Sequence, residues 1–248
     1  MSSTVSKIKL MQSVVLFAGL AEDALRQLAA TAHFLRLDAD QTLFMKGDPG
    51  LQLFIVSRGI IRISSASDHG KETTLNLMHS GQMFGEVAVL DGQDRTANAI
   101  AHEPTELLVI ERRALMDFLD RNPEAMRRML VAVCARLRWI SEALEDAYFL
   151  DLPRRLAKRI LLLAKLFGHP HSEGGIRIAL QLSQQDLAEL LVVTRESVNR
   201  QMRQWESDGL MTLKGGYLVV TDMARLEAIF QPGAHRVFTG RWPATGAD

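Results

Sequence analysis

The 248-residue chain holds a single cysteine, Cys134. A disulfide framework is thereby excluded, as is any zinc or iron–sulfur site built wholly from the cysteines of one chain. Net charge is also missing, because 29 Lys+Arg stand against 29 Asp+Glu. Taken whole, that balance argues against a nucleic-acid partner. No uninterrupted apolar run nears the roughly 20 residues that a membrane span needs. The opening MSSTVSKIKLMQSVVLF has only a short apolar stretch and no small-residue cleavage site, so a secretory signal is not expected. Repeats and low-complexity segments are absent too. Hydrophobic residues at 47% and charged residues at 23% then leave an ordinary globular protein, expected in the cytoplasm, with one large domain or two of common size.

The zero total conceals an asymmetry. Residues 1–152 carry 16 Lys+Arg and 20 Asp+Glu, a net of −4, whereas residues 153–230 carry 11 and 8, a net of +3. An acidic front and a basic rear point to two domains with different partners. Residues 20–30 read as a short amphipathic helix. From about 33 to 111 the texture is short apolar runs, Leu51–Val56, Ile60–Ile63, Thr74–Leu77 and Leu107–Ile110, separated by turn signals such as Gly47-Asp48-Pro49-Gly50 and Asp91-Gly92. Short strands with Gly-rich turns predict an antiparallel sandwich or roll, and Gly70 after His69 fits a hairpin turn.

Asn122-Pro123 predicts the start of a long helix, with Asn as N-cap and Pro at its first position. Met126, Leu130, Val133, Leu137, Ile140, Leu144 and Ala147 follow at spacings of 4, 3, 4, 3, 4 and 3. That is the seam of a two-stranded coiled coil, so a homodimer is expected. Asp151-Leu152-Pro153 reads as a hinge, Arg154–Phe167 as a further helix, Gly168–Gly175 as a loop and Ile176–Leu180 as a strand.

Residues 183–206 read SQQDLAELLVVTRESVNRQMRQWE. Ser183 with Asp186 is a capping-box variant. Leu187, Leu190 and Leu191 form the apolar face of a short helix, and Thr194 after a tight turn caps a second one carrying Val198, Met202 and Trp205. Two short helices so joined are a helix-turn-helix, whose second member fits a DNA major groove. Its polar side holds Arg195, Glu196, Asn199, Arg200 and Arg203. Arg195, Glu196 and Arg200 suit base edges, while Arg203, Ser183 and Thr194 suit phosphates. Residues 210–220 read as a hairpin wing.

The stretch FGEVAVLDGQDRTA at 84–97 has the polar groups that a sugar–phosphate ligand needs. Glu86 can accept from a ribose hydroxyl, Arg95 can neutralise a phosphate, Gly85 admits close backbone approach and Thr96 offers a hydroxyl. His79 and Cys134 are weighed as haem ligands and read instead as structural, and His169 and His171 have too few partners for a metal site. No nucleophile–base set supports an enzyme.

On LFMKGDPG…LFIVSRG, FGEVAVLDGQDRTA, YFLDLPRRLAKRIL and SQQDLAELLVVTRESVNRQMRQWESDGLM, the chain resembles the CRP/FNR superfamily of bacterial transcription regulators. The resemblance implies an α+β architecture: a cyclic-nucleotide-binding-like β-roll sensor at 12–121, a dimerisation helix at 122–151 and a winged helix-turn-helix at 153–230. The tail 231–248 lies beyond it. It further implies a ligand pocket of Gly85, Glu86, Val87, Arg95 and Thr96, approached by Arg136 and Ser141 from the long helix. The implied partners are a two-fold DNA operator, a second copy of the chain and RNA polymerase, with cAMP or cGMP as effector and no metal, haem or cluster. The family's cAMP-responsive prototype has a threonine just before this serine where this chain has Ile140, and Thr96 resembles cGMP-binding domains. Cyclic di-GMP, or no ligand at all, stays open beside these, as does a nucleotide-binding module without DNA.

Overall fold

The computed structural model describes residues 2–66, 72–172, 174–214 and 216–230. The turn at Asp68-His69-Gly70, the wing tip at Gly215 and the tail 231–248 lie outside them. In chain order the elements open with helices α1 (Ser2–Gln12) and α2 (Glu22–Thr31) and strands β1 (His33–Leu37), β2 (Thr42–Phe44), β3 (Gln52–Arg58), β4 (Ile60–Ala66), β5 (Glu72–His79) and β6 (Met83–Phe84). Helix α3 (Glu86–Asp91), strands β7 (Asn98–Ala101) and β8 (Thr105–Glu111), and helices α4 (Arg112–Arg121) and α5 (Pro123–Phe149) follow. The remainder is α6 (Leu152–Phe167), β9 (Gly168–Pro170), β10 (Ile176–Gln181), α7 (Gln184–Leu191), α8 (Arg195–Ser207), β11 (Met211–Lys214), β12 (Tyr217–Val220) and α9 (Met223–Phe230). By their contacts these residues form two compact units, one ending at Trp139 and the next beginning at Ile140.

In the first unit two antiparallel sheets, ordered β1-β8-β3-β6 and β2-β7-β4-β5, make the expected roll. Strand β3 is buried on both faces, and its alternation divides the core. Phe54 and Val56 point inward to meet Ile61, Ile63, Met78, Phe84 and Ala99. Leu53 and Ile55 point outward to helices, meeting Leu25, Leu115, Phe118 and Met129. Helix α1 was not evident in the sequence. It buries Ile8 and Met11, and its Lys7 ammonium donates to Ala29 O (3.2 Å) and Ala32 O (2.6 Å), supplying donors to the carbonyls that α2 leaves open at its end.

Helix α5 starts at Pro123 as the sequence predicts, but the expected cap is assigned elsewhere. The Asn122 side chain donates to Phe118 O (2.7 Å) and so closes α4 instead. Glu124 in the first turn of α5 pairs with Arg127 and Arg128, whose hydrogen bonds pull its carboxyl down to about 2. One stripe of α5, Ala125, Met129 and Ala132, is buried in the roll's helical core. Met126, expected at the seam, packs partly on that core as well. Leu130, Leu137, Ile140 and Leu144 are exposed, Leu137 at 64% and Leu144 at 58%, and Val133 is half-buried.

The chain breaks helix where Pro153 requires it. Asp151 caps α6 by accepting from Arg154 N, with Pro153 in the first turn. In the second unit α6 buries Leu156, Ala157, Ile160 and Leu163. The sheet there runs β11-β12-β10-β9. Its first member in sequence replaces part of the loop expected at 168–175, since Gly168–Pro170 pair with Ile176–Ile178. Gly168 permits so abrupt a passage from helix to strand, because a Cβ there would stand 2.0 Å from Ala164 O. Helix α9, also unforeseen, closes this unit on Leu226.

Candidate functional site

Gly85 stands at φ 82°, in the left-handed region, and turns the chain from β6 into α3. A Cβ at this position would lie 2.6 Å from Arg95 Nη1, so glycine is what lets the arginine come alongside. Arg95 is held from its own backbone. Its N–H donates to Asp48 O (2.8 Å) and its carbonyl accepts from Gly47 N (2.9 Å), which ties it to the 47–50 turn. Its side chain is buried and turned inward. Nη1 donates to Gly85 O (3.0 Å), Nη2 donates to Gln52 O (2.7 Å), and the guanidinium lies 4.2 Å from the Phe44 ring centre. Nε is buried without a hydrogen-bond partner. Burial pulls the guanidinium below its ordinary value, and the nearby charges of Glu86 and Asp48 act the other way.

Glu86, 4% exposed, faces Arg136 of α5, with Nε 3.5 Å from Oε1. Arg95, Glu86 and Arg136 are thus brought together, two guanidiniums near one carboxylate. Val87 and Thr96 are exposed beside them, and Ser141 lies on the part of α5 that belongs to the second unit. Arg95, Glu86 and Arg136 by themselves carry one positive charge in excess, offset in part by the exposed Asp48, and with the open Nε donor of Arg95 they suit a singly charged phosphodiester. Phe44 and the Gln52 carbonyl, which fix the guanidinium, were not foreseen. Nothing in a linear sequence marks a backbone carbonyl or the facing of an aromatic ring.

The second unit carries the helix-turn-helix. Ser183 and Asp186 form the reciprocal capping box on α7. Thr194 caps α8 by accepting from Ser197 N (3.3 Å). Val198, Met202 and Trp205 are buried, leaving Arg195, Glu196, Arg200 and Arg203 exposed on the opposite side. Asn199 is half-buried and accepts from Gln184 Nε2 (3.2 Å), so its amide joins α7 to α8. Arg155 of α6, also unforeseen, donates to Leu191 O (3.0 Å) and braces the end of α7.

The turn between the helices is strained. Val192 sits at φ 55°, ψ 45°, a left-handed conformation that its branched Cβ disfavours, and its side chain is exposed. Val192→Gly is expected to add about 1 kcal/mol and raise the thermal midpoint by roughly 2–4 °C. Differential scanning calorimetry reads this directly, and a lower midpoint would refute it.

The alternative ligands fare differently. The His79 ring stands 3.1 Å from Ser80 O, and burial lowers its basicity. Cys134, read as structural, is a free thiol exposed on α5. Among the described residues no group of three or more His, Cys, Asp or Glu could hold a metal ion, and no helix is long and apolar enough to cross a membrane.

Comparison with known proteins bears on both units. Residues 34–122 match the model of the cyclic nucleotide-binding domain, and residues 154–229 match that of the Crp-like helix-turn-helix domain. The chain is 30% identical over 211 residues to the CRP-like cAMP-activated global transcriptional regulator of Mycobacterium tuberculosis, covering 85% of this chain and 94% of the relative. It is also 30% identical over 220 residues to the cyclic AMP receptor protein of Thermus thermophilus, covering 88% and 98%. Among solved structures, the c-di-GMP responsive regulator CLP of Xanthomonas campestris shares the fold at a TM-score of 0.70 and 23% identity, covering 82% of this chain and 100% of that one.

Proposed function

The chain belongs to the CRP/FNR superfamily of transcription regulators, a family of regulators rather than enzymes, and on that premise we propose a homodimeric, sequence-specific DNA-binding protein of the cytoplasm whose affinity for its operator is set by a cyclic nucleotide, cAMP or cGMP. The observation that carries the effector is the cradle of Arg95, Glu86 and Arg136, in which a buried guanidinium keeps an unpartnered Nε and the three side chains by themselves carry one positive charge in excess. A cyclic phosphodiester would supply an anion for Arg95, and Glu86 would accept from a ribose hydroxyl. Thr96 and Val87 edge that cradle, with Ser141 further along α5.

Dimerisation is supported by the exposed stripe Leu130, Leu137, Ile140 and Leu144 on a 27-residue helix, an arrangement that costs free energy unless a second copy covers it. Two reading helices brought roughly 34 Å apart by the dimer then match one turn of a two-fold site. A nucleotide that binds one arrangement of the dimer better shifts the population toward it. RNA polymerase is the partner through which such a dimer would act on transcription.

Fluorescence anisotropy with a promoter fragment, titrated with cAMP, cGMP and cyclic di-GMP, tests the reading. At least one nucleotide is expected to change the operator affinity, and identical affinities in all mixtures would remove the effector. In the same assay Arg195→Ala is expected to cost about 1–3 kcal/mol on the cognate site and to relax one base position, while Arg203→Ala weakens all sequences alike. Equal loss from Arg195→Ala on specific and random DNA would show it to be a phosphate contact. A second reading, DNA binding that needs no ligand, draws on the way Glu86 already pairs with Arg136 and Arg95 with two carbonyls.

A further inference from the structure

Helix α3 holds only six residues, too few to stand alone in water, so its surroundings decide its place. Its first residue is Glu86. At 3.5 Å the Glu86–Arg136 pair is longer than a normal charge-assisted hydrogen bond, and it does not by itself pin the carboxylate. Apolar contact holds the middle of the helix, where Ala88 and Val89 are buried, but such contact has no direction. Where the carboxylate stands therefore depends on the polar contacts of the helix that carries it.

The far end of α3 is gripped from outside. Gly92, at φ 72°, turns the chain and donates from its N–H to Ala88 O. The next carbonyl, Val89 O, accepts from Arg112 Nε (2.8 Å) at the start of α4. The same guanidinium lies against Gly92, where a Cβ would stand 3.4 Å from Nη2. Arg112 is half-buried, and its own backbone is fixed because its N–H donates to Leu51 O (2.7 Å). A cation that donates to a helix's last carbonyls is the partner such an end needs.

Glu111, one residue earlier, accepts from Gln52 Nε2 (2.7 Å), and the Gln52 carbonyl holds Arg95 Nη2. The passage from β8 into α4 thus stands behind two members of the cradle, Glu86 through Val89 and Arg95 through Gln52. Glu86 and Val89 are one turn apart, about 4.5 Å along the axis, so a shift at one is felt at the other. Binding groups work only when such supports hold them to within roughly 0.5 Å.

We propose that Arg112 is a positioning residue of the effector site, which through Val89 O sets Glu86 to accept from the ribose 2′-hydroxyl of a cyclic nucleotide. This rests on the reading of the cradle as a cyclic-nucleotide site. Calorimetric titration of the full chain with cAMP and cGMP, each beside its 2′-deoxy analogue, isolates that hydroxyl. On the unmodified protein the deoxy analogue of a nucleotide that binds is expected to be about tenfold weaker than its parent.

Arg112→Met removes the donor and is expected to lose about tenfold in affinity for the parent nucleotide, with the deoxy penalty falling to about twofold. Arg112→Gln carries its Nε2 as many bonds from the backbone as the arginine Nε. It is expected to restore both affinity and penalty to within about threefold. Where the methionine variant does not fold, Arg112→Lys, with its donor one bond further out, is expected to show the same loss at about threefold. Equal losses on parent and deoxy analogue, which leave the penalty whole, would make Arg112 a residue of the fold alone and overturn the assignment. So would an affinity that no variant moves, or a glutamine variant as weak as the methionine one. Binding without any deoxy penalty in the unmodified protein would instead remove the ribose contact of Glu86, and no binding at all would remove the nucleotide reading; either takes this inference with it.

Discussion

Arg95→Leu is expected to lose at least about 100-fold in cyclic-nucleotide affinity and to unfold several degrees below the unmodified protein. The first effect follows from charge. Without the guanidinium the cradle holds only the Glu86–Arg136 pair, which is neutral, and a phosphate brought into it keeps its desolvation cost with no counter-charge. Hydrogen bonds to charged groups contribute about 1.5–3 kcal/mol each, so losing more than one reaches the 100-fold range. The second effect follows from the inward turn of the side chain. Gly85 O and Gln52 O both lose their donor, at about 1–3 kcal/mol for each carbonyl left unmet. Relief of the buried charge offsets part of that, so a fall of a few degrees is the expected net result. Calorimetry and thermal unfolding measure the two effects separately. Unchanged affinity in a variant of lowered midpoint would make Arg95 a structural residue only.

Leu137→Glu is expected to turn the dimer into monomers and to weaken operator binding by about 10²–10⁴-fold, the advantage that linkage of two half-site readers confers. Leu137 is 64% exposed on the single chain, so the substitution should alter the stability of the subunit by no more than about 0.5 kcal/mol. In a seam it would set two carboxylates against each other in an apolar environment. Sedimentation analysis gives the mass, and anisotropy on a whole and a half operator gives the loss. A dimeric Leu137→Glu protein that still binds the whole operator tightly would take this stripe out of the interface.

The parts of the fold that were legible in the sequence are those written in periodicity and turn chemistry. The roll showed in its strand-and-turn rhythm, α8 in Val198, Met202 and Trp205, and the capping box of α7 in Ser183 and Asp186. What stayed hidden depends on partners distant in the chain. Helix α5 presents two apolar stripes, and the inner one uses Ala125 and Ala132, too small to stand out beside Leu130 and Leu137. Asn122 had two helix ends within reach, and local sequence does not say which one its amide serves. The members of the cradle were readable as residues, Glu86 and Arg95 by spacing and Arg136 by resemblance. Their arrangement was not, since it is set by the Gln52 carbonyl and by the Phe44 ring.

The two-sided construction of α5 bears on how freely its sequence can drift. Ala125, Met129 and Ala132 admit little growth in volume because they are already enclosed by the roll's helical core. Leu130, Leu137 and Leu144 tolerate no charge if a second copy covers them, and Arg136 is committed to Glu86. Silent exchange is therefore confined to narrow polar strips between the two stripes, such as Arg138 and Glu145, both exposed. A helix used on both sides has few neutral neighbours in sequence space, so variants that retune this regulator should arise more readily in the loops and on the recognition helix than along this rod.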